Sequence, residues 1–316
     1  MVLGYHEARS FWRVVDLDDC LLLPEPMMRV ARDVRQLVAQ SGQRVYQPRT
    51  HQGFFRHLLI RRSQATGAML ACVITTSGPG EVIESMAREL AARHASLTGI
   101  GWGITDKLAD NAVPDTLTLL HGSDILEEQI GLFRLRLRPL SFLQPSTTQA
   151  DRIYARLRET IDDRPAGIAW DLYCGVGVIS CYLSAGVRKV YGIDIEPQHL
   201  RLAAENAARN GLRNVEVRVG RVEEVLKDRR FWLQEAKPDV IVVDPPRAGL
   251  HPGALASVSA ARPRRIAYLS CNVSTLVRDL AALCRGFPRY RLATVESFDM
   301  FPQTNHVEVL TLLERA

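Results

Sequence analysis

The sequence lacks the features that mark membrane, secreted and zinc-binding proteins. No apolar run approaches the roughly 18 residues needed to cross a bilayer, and the first residues lack the apolar core of a signal peptide. None of the six cysteines has a partner at the short spacing of a zinc or redox motif. No internal repeat or low-complexity tract occurs. We therefore expect a soluble, cytoplasmic protein with reduced thiols and no membrane partner.

The excess of positive charge is small, with a formal net charge of +5 and a pI near 9.0. Its distribution is more informative than its size. Arg134, Arg136 and Arg138 alternate with Leu135 and Leu137, a period of two that predicts a strand with three guanidinium groups on one face. Such a face would suit a phosphate backbone, with an ordinary solvated face as the alternative. A second basic cluster consists of Arg56, His57, Arg61 and Arg62.

Residues 1–145 predict a smaller domain of mixed α and β structure, in the position of an RNA-recognition domain. Apolar stretches in this part are typical of strands or carry helical periodicity. The predicted strands are Phe54–Ile60, Met69–Thr75 and Leu117–Leu120, and the predicted helices are Met27–Ala39 and Val82–Ala95.

Residues 146–316 change to a regular alternation of helices and short apolar strands, and we expect them to form the catalytic domain. Alternating βα units predict an α/β fold with a parallel, doubly wound sheet, in which ligands bind beyond the carboxyl ends of the strands. A first helix, Ala150–Ile161, leads through Asp162-Asp163-Arg164-Pro165 into the sheet, and a second runs from Pro197 to Gly211. The predicted strands are Gly167–Leu172, Lys189–Ile193, Val215–Val219, Val240–Val243 and Ile266–Ser270.

A glycine-containing turn after the first of these strands indicates a cofactor site. Asp171 begins the stretch that ends in Gly175-Val176-Gly177, and Asp194 stands 23 residues after Asp171, where its carboxylate could accept hydrogen bonds from both hydroxyls of a ribose. A dinucleotide would require a third glycine, and Asp171 would repel a pyrophosphate. The cationic methionine of S-adenosylmethionine suits Asp171 better, so this cofactor is favoured over NAD and over a bare βα turn.

The fourth strand ends in Asp244-Pro245-Pro246-Arg247, above the same sheet edge. Methyltransferases that act on an exocyclic amine place an aromatic ring in the fourth of these positions, so Arg247 disfavours that chemistry. RNA cytosine-C5 methyltransferases usually place a second cysteine directly after the paired prolines. Because Arg247 stands there instead, uracil is favoured over cytosine.

Cys271 follows the fifth strand, and a helix begins a few residues later. A thiolate is the nucleophilic form of cysteine, and a helix N-terminus or a cation such as Arg247 would favour it. Attack at C6 of a pyrimidine would activate C5 for methylation, and a base would then have to remove the C5 proton. Glu308, with His306 nearby, could be that base. An inert buried thiol and an ordinary edge-strand glutamate are the alternatives.

Together these motifs resemble those of the bacterial RNA uracil-C5 methyltransferases, which make 5-methyluridine in tRNA and 23S rRNA. The resemblance implies a class I (Rossmann-like) S-adenosylmethionine methyltransferase domain beside a smaller N-terminal α+β domain. It also implies that Cys271 is the nucleophile and Glu308 the proton acceptor, with Gln144, Tyr173, Asp194 and Asp244 lining the cofactor and base site. The matching stretches are Ser141–Gln144, Asp171–Gly177, Asp244–Arg247, Ser270–Asn272 and Phe298–Glu308, the last of which includes Asn305.

The closing stretch, Phe298 to Leu313, looks most like the branch that modifies a hairpin uridine of 23S rRNA. That branch implies an RNA partner rather than DNA, and we expect a monomer. A tRNA substrate is the first alternative. A catalytically silent RNA-binding or ribosome-assembly factor is the second, although all the reacting residues are in place. Ser146 departs from the asparagine that the family usually has.

The rRNA branches also hold a [4Fe–4S] cluster with four cysteines. Cys20 resembles the fourth of these ligands, whereas the other three have no counterpart in this chain. Either the chain is truncated or its lineage has lost the cluster. We expect no cluster in this chain, Cys20 as an ordinary buried cysteine, and no other metal site.

Overall fold

A computed structural model describes residues 2–7, 10, 12–162, 166–228, 230–231, 236–304 and 306–316. Asp163, Arg164, Pro165 and Asn305 lie outside the described residues. The chain forms two compact units, one of Met1–Glu128 with Leu137–Leu140 and one of Gln129–Arg136 with Ser141–Ala316. The boundary expected between residues 145 and 146 stays a prediction. No helix in the described part of the chain is long and apolar enough to cross a membrane.

The first unit has mixed α and β structure, and the strands and helices predicted in it are confirmed. Its elements are β1 (Gly4–His6), β2 (Val14–Asp16), α1 (Glu25–Gln40), β3 (Phe55–Arg62), β4 (Met69–Thr75), α2 (Gly80–Arg93), β5 (Leu97–Ile104) and β6 (Thr116–Gly122). A four-stranded sheet has the order β3-β4-β5-β6, and only β4 and β5 are parallel in it.

One face of this sheet packs on the two helices. Val30, Val34 and Val38 recur every four residues along α1, so they form a single buried stripe. They share an apolar core with Ala71 and Val73, which alternate on β4 and therefore point to the same side. The core thus follows from two periods in the sequence, four on the helix and two on the strand.

Strands β7 (Leu126–Ile130) and β8 (Phe133–Leu137) form a separate two-stranded sheet. Leu135 and Leu137 are buried and alternate with Arg134 and Arg136, as the period of two predicts. The prediction of three arginines on one strand face is wrong for Arg138. That residue lies beyond β8, and its guanidinium pairs with a carboxylate oxygen of Asp124 at 3.1 Å.

The second predicted basic cluster is largely structural. The guanidinium of Arg56 donates to the backbone carbonyls of Thr105, Lys107 and Ala109, at 3.1, 2.6 and 2.9 Å. Arg61 donates to another carbonyl, that of Pro139, at 2.6 Å. The guanidinium groups of Arg56 and Arg61 are therefore bonded to backbone carbonyls of other segments of the chain.

The second unit is an α/β fold. Its elements are α3 (Thr147–Asp162), β9 (Ala166–Leu172), α4 (Val178–Ser184), β10 (Val187–Asp194), α5 (Pro197–Arg209), β11 (Val215–Val219), α6 (Val222–Val225), β12 (Val240–Val243), α7 (Pro252–Ala261), β13 (Arg265–Ser270), α8 (Val273–Arg285), β14 (Tyr290–Phe298) and β15 (Glu308–Arg315). All five predicted strands and the two predicted helices are confirmed.

The seven-stranded sheet of this unit has the order β11-β10-β9-β12-β13-β15-β14. Strands β9 to β13 are parallel, whereas β15 runs antiparallel to both β13 and β14. The chain proceeds outward from β9 in one direction and then returns to its other side with β12. This reversal of strand order opens a crevice at the carboxyl ends of β9 and β12, where ligands of doubly wound sheets bind.

Candidate active site

The loop after β9 has an unusual backbone. Tyr173, Gly175 and Gly177 adopt positive φ angles of 66°, 52° and 81°. A Cβ atom on Gly177 would lie 2.8 Å from the Cβ of Ala203 in α5, so only glycine permits helix and loop to pack this closely. The N–H groups of Tyr173 and Cys174 donate to the carbonyl of Ile193, at 2.8 and 3.1 Å, and tie the loop to β10.

Asp194, at the end of β10, faces this loop. Its two carboxylate oxygens accept from the N–H of Gly175 at 3.0 Å and from the N–H of Glu196 at 2.9 Å. Burial raises its pKa, but hydrogen bonds from His199 and from these two N–H groups outweigh it and hold the pKa below the usual value. Asp194 is thus a fixed, ionised carboxylate whose oxygens retain lone pairs for further donors.

Asp171 is the most deeply buried acid of the site, with 0% of its surface exposed. One oxygen accepts from the hydroxyl of Ser180 at 2.6 Å, and the other accepts no hydrogen bond within the described part of the chain. Burial raises the pKa of Asp171 to about 7, against the hydrogen bonds from Ser180. An unpartnered buried oxygen is costly, and a polar or cationic ligand would remove that cost.

These carboxylates fit S-adenosylmethionine. Asp194 offers an ionised acceptor for ribose hydroxyls, and Asp171 offers negative charge and a free acceptor beside a loop that curls around open space, since nothing lies within 4 Å of a Cβ built on Gly175. The loop has only two glycines and an acid at its start, which does not suit a pyrophosphate. Gln144, also predicted here, is buried.

Asp244 ends β12 and is electrostatically close to two other acids. Burial first, and then the charges of Glu308 and Asp171, raise the pKa of Asp244 well above its usual range. Burial first, and then the charges of Asp244, Asp171, Tyr182 and Glu308, raise the pKa of Tyr154 on α3 well above its usual range. Asp171, Asp244, Glu308 and Tyr154 therefore share one site. The motifs indicated the acids, whereas Tyr154, an apolar-face position of a helix, gave no signal.

The segment after Asp244 is fastened to α8. The side chains of Asn272 and Thr275 both donate to the carbonyl of Arg247, at 2.9 and 3.2 Å. Asp279 accepts from the N–H of Leu250 at 2.8 Å and from the hydroxyl of Tyr268 at 2.7 Å. These hydrogen bonds fix the loop against the helix that follows Cys271.

Asp279 was missed by the sequence analysis, although a signal exists. It lies between Leu276 and Leu283 at spacings of three and four, so it belongs to the buried stripe of α8. A carboxylate on the buried face of a helix needs partners, and its presence there indicates a structural anchor.

Cys271 stands between the last residue of β13 and Asn272, the N-cap of α8, whose side chain accepts from the N–H of Ser274 at 3.1 Å. The thiol is partly exposed. It therefore occupies the carboxyl edge of a buried strand beside the N-terminus of a helix of 13 residues, where partial positive charge favours an anion.

Glu308 begins β15, the strand that pairs with the one preceding Cys271. Ser270 of β13 is paired with Val309 of β15 in an antiparallel ladder. Continuing this register by one residue places Cys271 opposite Glu308. Glu308 is 7% exposed, and one of its oxygens accepts no hydrogen bond within the described residues. Burial raises the pKa of Glu308 to about 7, and the charge of Arg247 opposes this shift.

Cys20 belongs to the first unit. Its N–H donates to the carboxylate of Asp19 at 2.8 Å, and its thiol is partly exposed rather than fully buried as expected. Within the described ranges, no group of three or more histidine, cysteine or acidic side chains could hold a metal ion.

The model of the tRNA (uracil-5-)-methyltransferase family matches residues 124–316, which include every site residue of the second unit. The chain belongs to this family. The family is that of an enzyme, so the protein is an RNA methyltransferase, as the resemblance implied. Residues 171–177, 244–247 and 270–272 all lie inside the match.

The relatives of the chain agree with this assignment. An uncharacterized RNA methyltransferase of Caldanaerobacter subterraneus is 32% identical over 99% of this chain and 69% of the relative. Another, from Gloeobacter violaceus, is 33% identical over 100% of this chain and 67% of the relative. The chain thus spans about two thirds of the length of these relatives.

A solved structure shares the fold. The tRNA (uracil-54, C5)-methyltransferase of Pyrococcus abyssi, in complex with S-adenosyl-L-homocysteine, aligns over 99% of this chain and 72% of its own with a TM-score of 0.76 and 24% identity. Trm5b of the same organism aligns with a TM-score of 0.53 over 78% of this chain, at 16% identity. The expected class I methyltransferase fold is confirmed.

Proposed function

We propose that the protein methylates carbon 5 of a uracil in RNA, with Cys271 as covalent nucleophile and Glu308 as general base. The observation that supports this proposal is the register of β13 and β15, in which Ser270, the residue before Cys271, pairs with Val309, the residue after Glu308. The raised pKa of the Glu308 carboxyl, about 7, suits proton abstraction near neutral pH.

The cofactor in this proposal is held by residues at the carboxyl ends of β9, β10 and β12. Asp194 would hold the ribose, and the backbone from Tyr173 to Gly177 would line the rest of the cofactor site. Gln144 and Asp244 complete the pocket between cofactor and base. When bound, S-adenosylmethionine supplies the electrophilic methyl group that C5 accepts.

The reaction begins with the thiolate of Cys271. It forms an S–C6 bond with the uracil, and the electron pair of the C5–C6 double bond moves toward C5 and the carbonyl at C4. This makes C5 nucleophilic enough to be methylated. Asp244, whose pKa is raised, keeps a proton more readily than an ordinary aspartate and donates it as a hydrogen bond to the carbonyl oxygen on which negative charge develops.

The second half of the cycle belongs to Glu308. After methylation, C5 carries both the methyl group and its original proton. The carboxylate of Glu308 removes that proton, the C5–C6 double bond forms again, and the C6–S bond breaks to release the thiolate of Cys271. Arg247, whose charge lowers the pKa of Glu308, keeps part of the carboxyl population ionised.

The substrate we propose is a hairpin uridine of 23S rRNA, because the stretch from Phe298 to Leu313 resembles that branch. The enzyme then acts in the cytoplasm as a monomer, on RNA and not on DNA. The second candidate is tRNA, which the description of the matching family favours.

Methylation of transcripts in vitro separates the two substrates. Wild-type protein and Cys271→Ala are incubated with labelled S-adenosylmethionine and either 23S rRNA hairpin fragments or unmodified tRNA. Nuclease digestion and mass spectrometry then identify the product nucleoside. We expect 5-methyluridine in the rRNA fragments with wild-type protein alone. Product in tRNA only would overturn the rRNA assignment, and 5-methylcytidine or an N-methylated base would overturn the chemistry.

A further inference from the structure

Asn206 in α5 and Asn210 at its C-cap bond the backbone of β8 through their side-chain amides, as the backbone of a neighbouring strand would. The side chain of Asn206 accepts from the N–H of Arg136 at 2.7 Å and donates to its carbonyl at 3.3 Å. Asn210, one helical turn later, accepts from the N–H of Arg134 at 3.0 Å and donates to its carbonyl at 2.8 Å. Each primary amide satisfies both backbone groups of a strand residue, so the two form a short ladder along β8.

Only Asn206 extends further. Its amide nitrogen also donates to the carbonyl of Val176 at 3.0 Å, in the loop after β9, and its surface is 0% exposed. The additional bond of Asn210 is to the carbonyl of Asn206 in its own helix, at 2.7 Å. Asn206 thus connects β8 and the loop through one buried side chain. The side-chain bonds of Asn210 go to β8 and to its own helix, and none of them goes to the loop.

The carbonyl of Val176 belongs to the peptide that leads into Gly177. The N–H on the other side of this peptide donates to the carbonyl of Cys174 at 2.9 Å, so both of its polar groups are bonded. Gly177, which follows this peptide, has a positive φ angle, and because glycine has no Cβ it permits other orientations of the peptide once the bond from Asn206 is lost. The bond from Asn206 therefore selects one orientation of the loop.

We propose that Asn206 is a positioning residue that fixes the cofactor loop through Val176 and couples cofactor binding to contact of RNA with β8. The inference rests on the proposed function, since it takes the loop after β9 as the cofactor site. Arg134 supplies the RNA contact: its side chain is exposed on β8, and it forms no ion pair with a described residue. An RNA phosphate bound to Arg134 and a cofactor bound in the loop would then stabilise the same conformation of β8, Asn206 and the loop after β9.

Thermodynamic linkage makes this coupling measurable. If RNA on β8 favours the cofactor-binding loop conformation, RNA must lower the dissociation constant of the cofactor by the factor by which cofactor lowers that of RNA. Calorimetric titration of the full-length protein with S-adenosylhomocysteine, with and without a 23S rRNA hairpin, measures this factor. Asn210→Ala is the matched control, because it removes the same kind of ladder bond but no bond to the loop.

We expect Asn206→Ala to raise the dissociation constant of S-adenosylhomocysteine by about tenfold, the loss of one buried hydrogen bond, and to abolish the effect of RNA on it. Asn210→Ala should lower the melting temperature but leave this constant within about twofold of wild type. Equal constants for wild type and Asn206→Ala, or equal losses in both variants, would overturn the proposal.

Two further variants keep the test decisive. Arg134→Ala is a surface change that leaves α5 intact, and we expect it to abolish the effect of RNA while cofactor affinity without RNA is retained. If RNA still tightens cofactor binding to this variant as in wild type, the coupling through β8 is wrong. Should Asn206→Ala fail to fold, Asn206→Ser replaces it with the same expected outcomes.

Asp194→Ala separates this inference from the proposed function. Loss of cofactor binding in Asp194→Ala together with normal binding in Asn206→Ala would reject only the role of Asn206. Normal binding in Asp194→Ala would reject the cofactor site itself.

Discussion

Arg247 donates a hydrogen bond of 2.9 Å from its guanidinium to Nδ1 of His306. The bond joins the loop after β12 to the segment before β15, and these two strands flank β13, which leads to Cys271. Because Nδ1 accepts, the neutral imidazole carries its proton on Nε2. Arg247 is thereby held near Glu308, whose pKa its charge lowers.

Replacement of Arg247 should change the pH dependence of the reaction. Arg247→Gln removes the positive charge that opposes the raised pKa of Glu308, so this pKa should rise and the base should ionise at higher pH. The pH profile for release of methylated RNA from the covalent adduct should therefore shift to higher pH. Arg247→Lys keeps the charge and serves as the control with a profile near that of wild type. Equal shifts in both variants would show that charge is not the cause.

In the wild-type enzyme, removal of the C5 proton and release of the methylated RNA should slow at low pH. Glu308 acts as a base only when ionised, and burial raises its pKa to about 7. Release of methylated RNA from the enzyme should therefore rise as the pH increases through about 7 and then level off. Glu308→Gln should release product slowly at every pH and accumulate the covalent adduct. A variant that turns over rapidly would remove Glu308 from its proposed role.

Asp279 should matter for both stability and activity, although it is not proposed to touch the substrate. Asp279→Ala leaves the hydroxyl of Tyr268 and the N–H of Leu250 without their acceptor, which should cost roughly 1–3 kcal/mol of unfolding free energy. Urea unfolding measures this loss, and kcat should fall because the loop bearing Arg247 loosens. Asp279→Asn, which keeps one acceptor oxygen, should lose less. An unchanged urea midpoint in Asp279→Ala would contradict the anchor.

Gly177 and Gly211 have similar backbone angles, so alanine variants of the two distinguish the cost of backbone strain from the cost of a steric clash. Gly177 has φ +81° and lies against Ala203, whereas Gly211 has φ +71° and nothing within 4 Å of the position that a Cβ atom would take. In both alanine variants the free energy of unfolding should fall by about 1 kcal/mol, because alanine adopts the left-handed backbone conformation less readily than glycine. Gly177→Ala should lose further unfolding free energy, because its Cβ atom would press against Ala203, and it should bind S-adenosylhomocysteine more weakly than Gly211→Ala does. Equal behaviour of the two variants in thermal unfolding and calorimetry would show that the contact with Ala203 is unimportant.

The central parallel strands of the second unit could be predicted because they are buried and appear as apolar runs, whereas the edge strand β11 alternates apolar and charged residues. β12 is an example, since all four of its residues are buried. The polar residues that follow these runs, Asp171, Asp194 and Asp244, could then be assigned to the carboxyl edge of the sheet. β14 could not be predicted, because most of its side chains are partly or fully exposed and give no apolar run.

The remaining features depend on partners that are distant in the sequence. Asn206 bonds Arg136 across 70 positions, and Arg56 bonds three carbonyls about 50 positions away. Backbone carbonyls occur at every residue, so no sequence pattern marks them as acceptors. The same limit applies to the register of β13 and β15, which pairs Ser270 with Val309.

The covalent adduct between enzyme and RNA tests the central claim most directly. RNA with 5-fluorouridine at the target position cannot lose its C5 substituent as a proton, so the adduct formed after methylation should persist through denaturing electrophoresis. Wild-type protein and Cys284→Ala, which removes another partly exposed thiol, should both give the shifted band in the presence of S-adenosylmethionine. Cys271→Ala should give none. A band of wild-type intensity in Cys271→Ala would contradict the mechanism.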